Sequence, residues 1–496
     1  MSRAHRLIVA ALFASLALPC SLWAGAPAGQ YAMFGQTRSR NMVSPEKGLP
    51  TRWDVKTGEN VLWSATLGSQ AYGGPVVVGD RIFMGTNNEA PRNPKVIGDR
   101  GVMMAFDAHT GQFLWQGAHA KLSQGRVNDW PQQGICSAPY VEGDRVYYVS
   151  NRAELICADT EGFRDGENDG AVKNEESATE TDEDVVWKLD MIGELDVFPH
   201  NLAVGSPLIV GDVLYTVTAN GVDEGHVNIP SPLAPSFIAV DKNTGKLIWE
   251  SNLPGNNILH GQWSNATYGV AGGREQVVFA GGDGWLYSLD PKTGKLIWKF
   301  DCNPKDAKYI IGGSGTRNYI VATPVFANNK VYIGVGQDPE HGEAPGHLWA
   351  VPADQEGDVT GKQIWHRGGE DFHRTLSTVA IGDGLMFAAD LSGFLYCLNP
   401  DTGELYWKHD MFAAVWGSPV LVDGKVYLGD EDGDVVVFKA SKQKQLLAEM
   451  NMGSSVVTSV TPRDGVLFIA SRNRLWALKE GIKPHPMDAP AAPAAH

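Results

Sequence analysis

The chain is poor in cysteine and lacks several signatures that would fix a function outright. Five cysteines occur in 496 residues, and none belongs to a C-x-x-C or C-x-x-C-H unit, which argues against zinc ribbons and covalently attached haem. There is no dense Lys/Arg run and the formal charge is −16, which argues against nucleic acid as a partner. Past residue 24 no apolar run is long enough to cross a bilayer as a helix. No P-loop, nucleophile elbow or Ser-His-Asp order stands out. What abounds is glycine, 57 residues, in a chain that is 43% hydrophobic, a balance that suits a globular protein rich in turns.

The ends carry their own signals. Residues 1–24 read as a secretory leader, with Arg3 and Arg6 ahead of an apolar run over 7–18 and Leu22-Trp-Ala24 as a small-residue cleavage site. Cys20 offers lipid attachment as the alternative, but Ala17-Leu-Pro19 before it suits that signal poorly. The expectation is an exported monomer, periplasmic or extracellular. Residues 25–60 form a lead-in, and the Pro/Ala-rich tail over 481–496 predicts disorder.

Between them one phrase recurs. Asp290-Pro-Lys-Thr293-Gly294-Lys-Leu-Ile-Trp298 has copies at Asp107 to Trp115, Asp241 to Trp249 and Asn399 to Trp407, and a looser one ending Thr360-Gly361-Lys-Gln-Ile-Trp365. The Asp or Asn side chain accepts backbone N–H groups, glycine takes positive φ, and an apolar strand follows whose ring can pack on the next unit. Around each copy lie short apolar strands bounded by Gly, Asp and Asn, the pattern of antiparallel hairpins. One slot in the third strand holds Ala105, Cys157, Ala239, Ser288, Cys397 or Ala477, so Cys157 and Cys397 read as small packing residues.

The array runs out one strand short after Arg474-Leu-Trp-Ala-Leu478, and a strand without sequence neighbours sits at Val61-Leu-Trp63-Ser-Ala-Thr-Leu67. Pairing the two would close a ring and remove its open edges. The predicted fold over 61–480 is therefore all-β: an eight-bladed propeller of four-stranded antiparallel blades around a channel.

In such blades the loops after the second and fourth strands share one face, and here those loops are long. They carry Asn128-Asp129-Trp130, His200-Asn201, His226, His260-Gly-Gln262-Trp263, Arg317-Asn318, His341 and Arg374. With Trp416 these predict a polar, aromatic-walled pocket at the channel mouth for a protein, glycan or small molecule. Asp338, Glu340, His341 and Glu343 form a ligand-rich string for a metal. On the opposite face the acidic stretch over 161–184 predicts a solvated loop, with carboxylate oxygens of the kind calcium takes.

The phrase Ala105-Phe-Asp107…Thr110-Gly111…Trp115 and its copies resemble the pyrroloquinoline-quinone (PQQ)-like β-propeller repeats, over about residues 61–480. The family includes PQQ-dependent alcohol and sugar dehydrogenases, cofactor-free outer-membrane assembly factors and exported members of other roles. The lead-in Met33-Phe34-Gly35-Gln36 and Ser44 to Pro50 look like the last group. The resemblance implies three roles: a binding scaffold, a quinone- or metal-dependent oxidoreductase, or an assembly factor. In the second, PQQ with calcium would sit at the mouth, Asp129 or Asp338 would serve as base, and Arg317 or Arg374 would hold anionic groups. The adjacent cysteines that alcohol-oxidising quinoproteins set against the cofactor have no counterpart here.

Overall fold

The computed structural model describes residues 31–175, 177–342 and 344–487, so the expected secretory leader, with Cys20, lies outside the described residues. Eight four-stranded antiparallel sheets follow one another along the chain as blades. Blades 1 to 7 cover residues 76–120, 140–190, 208–251, 267–301, 325–373, 380–410 and 420–451. Blade 8 takes three strands from residues 461–479 and its outermost from Val61–Thr66, which pairs antiparallel with Arg474–Lys479. The front of the chain thus closes the ring, as its orphan strand predicts.

The recurring phrase couples one blade to the next. Asp107 Oδ1 accepts from the backbone of His109 and Thr110 and from the Thr110 hydroxyl, and Asp241 and Asp290 repeat the pattern. The tryptophan of the preceding blade lies on this turn. Trp63, Trp115, Trp187, Trp249 and Trp365 each donate Nε1–H to the carbonyl just after the turn's Asp or Asn, at 2.9–3.1 Å. The turn glycine has two reasons to lack a side chain. Gly294 has φ +68°, and a Cβ there would come within 2.7 Å of the Trp249 ring. Gly111, Gly245 and Gly403 stand in the same relation to Trp63, Trp187 and Trp365. Within each blade the small slot faces the ring directly: Ala105 registers opposite Trp115, Cys157 opposite Trp187 and Cys397 opposite Trp407. Cys136, Cys157, Cys302 and Cys397 are all free thiols.

Blade 4 departs from the pattern. Trp298 turns its N–H to Gln276 Oε1 of its own blade at 2.7 Å, because the loosened turn of blade 5 offers no equivalent seat. Instead Gly357–Asp358 of blade 5 adds a short parallel strand along the outer edge of blade 4.

The lead-in fills the channel that the repeat pattern leaves open. Tyr31–Ala32 pairs with the inner strand of blade 2 and Val43–Ser44 with that of blade 7. Between them Arg38 Nε donates to Ile209 of blade 3, Arg38 O accepts from Tyr268 of blade 4, Ser39 O from Phe326 of blade 5, and Asn41 bonds the backbone of Ile381 in blade 6. The strap visits blades 2 to 7 in order, along strand edges that would otherwise be unpaired. Arg40 is its anchor: fully buried, it donates to the carbonyls of Phe34, Ser206, Pro207 and Ala266 at 2.8–3.0 Å.

Two expectations change. The first residues of the tail make contacts that its composition does not predict, His485 N donating to Thr57 O with its ring 2.8 Å from Val61 O, and Met487 packing on the core beside blade 8, while 488–496 lie outside the described residues. The lead-in turn gives those residues backbone partners that the sequence pattern does not display. The acidic stretch is also not wholly solvated. Asp182, Glu183 and Asp184 are buried, and the chain there runs beside Gln116 of blade 1, exchanging backbone hydrogen bonds with it. Glu183 accepts from Tyr148 OH at 2.6 Å, and burial pushes its carboxyl up to about 7.

Gly294→Ala should lower the thermal unfolding midpoint more than Gly361→Ala. Both pay about 1 kcal/mol for a left-handed residue with a side chain, but only the first also displaces an indole, since nothing approaches Gly361. Equal losses would mean the tryptophan seat contributes nothing. For Glu183 the raised carboxyl means the folded state prefers the proton, so stability is fullest in acid and falls as pH rises through about 7. Glu183→Gln should therefore be more stable to denaturant unfolding than the parent at pH 8, by on the order of 1–3 kcal/mol, and match it near pH 4.

Candidate functional site

The long loops converge on a cavity of about 420 Å³ at the channel mouth. Its aromatic wall draws on separate junctions: Trp130 between blades 1 and 2, Trp263 between 3 and 4, Trp416 between 6 and 7, and Tyr72 between 8 and 1, with Phe34 contributed by the strap. Asn201, Gln133 and Asn265 add amides. The Tyr72 and Trp416 rings lie 6.1 Å apart, and the Trp416 N–H, though buried, has no hydrogen-bond partner. Asp338 and Glu340 are the charged residues of the lining, and no Lys or Arg joins them.

Asp338 links this cavity to a cluster of imidazoles. Its Oδ2 lies 3.2 Å from His260 Nδ1 and accepts from Tyr319 OH, while its Oδ1 lies 2.9 Å from His341 Nδ1. Burial works to raise this carboxyl, yet the hydrogen bonds from His260, His341 and Tyr319 outweigh it and hold Asp338 well below the usual carboxylate range. The same contact raises His341. His200 and His260 are buried, with ring centroids 4.3 Å apart, and Trp263 packs on both. Burial and the neighbouring His260 pull His200 down to about 3, so it is neutral at physiological pH. His226, from the loop after the second strand of blade 3, completes the group. Among the described residues two sets can hold a metal ion: His200, His226 and His260, and His260, Asp338 and His341. The acidic loop contributes to neither.

The sequence candidates therefore divide. Trp130, Asn201, Trp263, Asp338, Glu340 and Trp416 meet at the cavity, with His200, His260 and His341 just behind it. The candidate base Asp129 does not reach it. It is buried and held by Lys121 Nζ at 2.5 Å, Asn151 Nδ2 at 2.7 Å and Leu122 N at 3.1 Å. Neither candidate anion-binding arginine is free for a ligand. Arg317 pairs with Asp301 at 2.7 Å and caps Asp283 O, and Arg374 donates to Asn318 Oδ1 at 2.8 Å and to His341 O. Asn318 is buried in that network. Of the metal string, Asp338 and His341 join the cluster, Glu340 is exposed, and Glu343 lies outside the described residues. Phe34 and Tyr72 carried no sign of a site beyond standing next to glycines that open a strap and an inner strand.

A PQQ cofactor, as a tricarboxylate, does not fit this lining. Among the described residues the lining offers two carboxylates and neither Lys nor Arg, and both Asp338 oxygens are already engaged. Cys136 lines the cavity singly, with its thiol pushed up to about 12 by burial.

Comparison with known proteins bears on this geometry. Tetrathionate hydrolase of Acidithiobacillus ferrooxidans is 27% identical over 272 residues, 49% of this chain and 47% of that protein. The dehydrogenase subunit of the quinone alcohol dehydrogenase of Gluconobacter oxydans is 33% identical over 183 residues, 36% of this chain and 21% of the subunit. The chain spans less than half the length of these curated relatives. Among solved structures, a europium-containing methanol dehydrogenase superposes with TM-score 0.59 at 14% identity, covering 89% of each chain. BamB from Moraxella catarrhalis does so with TM-score 0.51 at 15% identity, covering 86% of this chain and 98% of its own. At such identities these structures show the fold alone. A family model described as outer membrane protein assembly factor BamB matches residues 28–128, 105–338 and 346–480, nearly the whole propeller, and the chain belongs to that family of PQQ-like propellers.

Proposed function

We propose that this chain is an exported, monomeric binding propeller whose channel mouth takes a neutral, flat-faced, hydroxyl-rich ligand, a sugar ring foremost. The observation that carries the reading is the lining of the mouth cavity. Three indoles and a phenol arrive from four different blade junctions, amides stand between them, and the charges present are negative. Indole faces stack on the C–H faces of a sugar, amides bond its hydroxyls, and the unpartnered Trp416 N–H offers a donor. The carboxylates argue against a quinone or another polyanion. Relatives named as outer membrane protein assembly factors, such as that of Legionella pneumophila, support a binding role.

The test is a titration of the purified protein, followed by tryptophan fluorescence and thermal shift, with neutral gluco- and N-acetylglucosamine oligosaccharides in one arm and PQQ with calcium in the other. Saturable quenching by a saccharide is expected, weakened about tenfold by Trp416→Ala, with no response to the quinone. A quinone that raises the unfolding temperature by several degrees while every saccharide is inert would overturn the reading and favour the oxidoreductase. Indifference to both would favour the assembly factor.

A further inference from the structure

We propose that His200, His226 and His260 form a transition-metal site, for zinc(II) foremost, that binds the ion through their three Nε2 atoms and leaves a fourth position open. The site stands apart from the ligand reading of the mouth cavity.

The geometry is that of a coordination sphere. His226 Nε2 lies 3.2 Å from His200 Nε2 and 3.2 Å from His260 Nε2, and all three ligand atoms fall within 4.8 Å of one another. Nitrogen ligands about 2.0–2.1 Å from a tetrahedral zinc stand roughly 3.3 Å apart, so the imidazoles need only a small adjustment.

The proton inventory points the same way. His200 Nδ1 is 2.7 Å from Val222 O, a carbonyl that can only accept, so the proton sits on Nδ1 and Nε2 carries a lone pair. His260 Nδ1 faces the Asp338 carboxylate at 3.2 Å and the Tyr319 hydroxyl at 3.1 Å, which turns its Nε2 towards His226. His226 Nε2 therefore has two ring nitrogens at hydrogen-bond distance and at most one proton to share with them. A cation at the centre satisfies all three nitrogens at once.

The surroundings fit as well. A carbonyl behind one ligand and a carboxylate behind another are the partners that orient metal-bound histidines. The backbone is kept bare where the rings converge: a Cβ at Gly221 would fall 2.5 Å from His200 Cβ, and one at Gly312 2.6 Å from His226 Cβ. No thiolate or oxygen belongs to the set, and three imidazole nitrogens suit zinc and its neighbours, not calcium. Asp338 is a positioning residue here, since it acts through His260.

The full chain, stripped with chelator and dialysed, would be titrated with zinc chloride, cobalt(II) chloride and calcium chloride. Metal analysis after desalting should give one zinc per chain. Cobalt should develop the visible absorption of a four- or five-coordinate ion with nitrogen ligands. His226→Ala, on a loop and partly exposed, should fold as the parent does by circular dichroism and lose at least about a hundredfold in zinc affinity. Asp338→Asn should weaken zinc by about tenfold. His347→Ala, at a separate pair with His347 Nδ1 3.1 Å from His366 Nε2, should leave stoichiometry unchanged. The assignment is overturned if no zinc is retained, if His226→Ala binds as the parent does, or if calcium binds and zinc does not. Because the readout is metal stoichiometry, it stands whether or not any saccharide binds.

Discussion

Neighbouring blades are joined by an indole laid on a bare glycine. At five of the junctions the tryptophan at the end of an outer strand covers the turn of the following blade and gives its N–H to a carbonyl in that turn, as Trp187 does to Lys242 and Trp249 to Pro291. The contact combines a large apolar ring, a satisfied polar tip and a turn that tolerates no side chain beneath it. It sets the angle from one sheet to the next, and with that angle the ring can close on itself. The positions of the long loops at the mouth follow from this repeated joint.

A second constraint acts from within. The strap over residues 31–44 bonds the inner strands of blades 2 to 7 one after another, and Arg40 satisfies four carbonyls in the middle of the molecule. A guanidinium suits this task because its donors spread in a plane and reach several acceptors at once. The strap also brings Phe34 to the wall of the mouth cavity, so the site rests on the lead-in as well as on the blades.

The architecture was legible because its determinants are local. The Asp-x-x-Thr-Gly turn, the tryptophan strand and the small slot at Ala105 or Cys157 lie within a few residues of one another, and each recurs. Closure by Val61–Thr66 was legible for the same reason, as one strand too many at the front and one too few at the back. The site was legible only in outline. Pattern placed the polar and aromatic residues on one face, but not which of them would be consumed as structure. Asp129, Arg317 and Arg374 have the chemistry of a ligand site and are spent on Lys121, Asp301 and Asn318. His200, His226 and His260 come from three loops with a whole strand or more between successive members, and nothing in their spacing marks them as neighbours. The strap was illegible because its hydrogen bonds are made by backbone and by one arginine, with no periodicity to betray them.

The strap also ties the order of synthesis to the order of assembly. Residues 31–66 are made before blades 1 to 7, yet their strand partners stretch from Val141 to Leu478. Val61–Thr66 cannot reach its final pairing until Arg474–Lys479 has been made, so closure of the ring waits for the strands of all the other blades. Until then the strand that closes the ring stays without its partner.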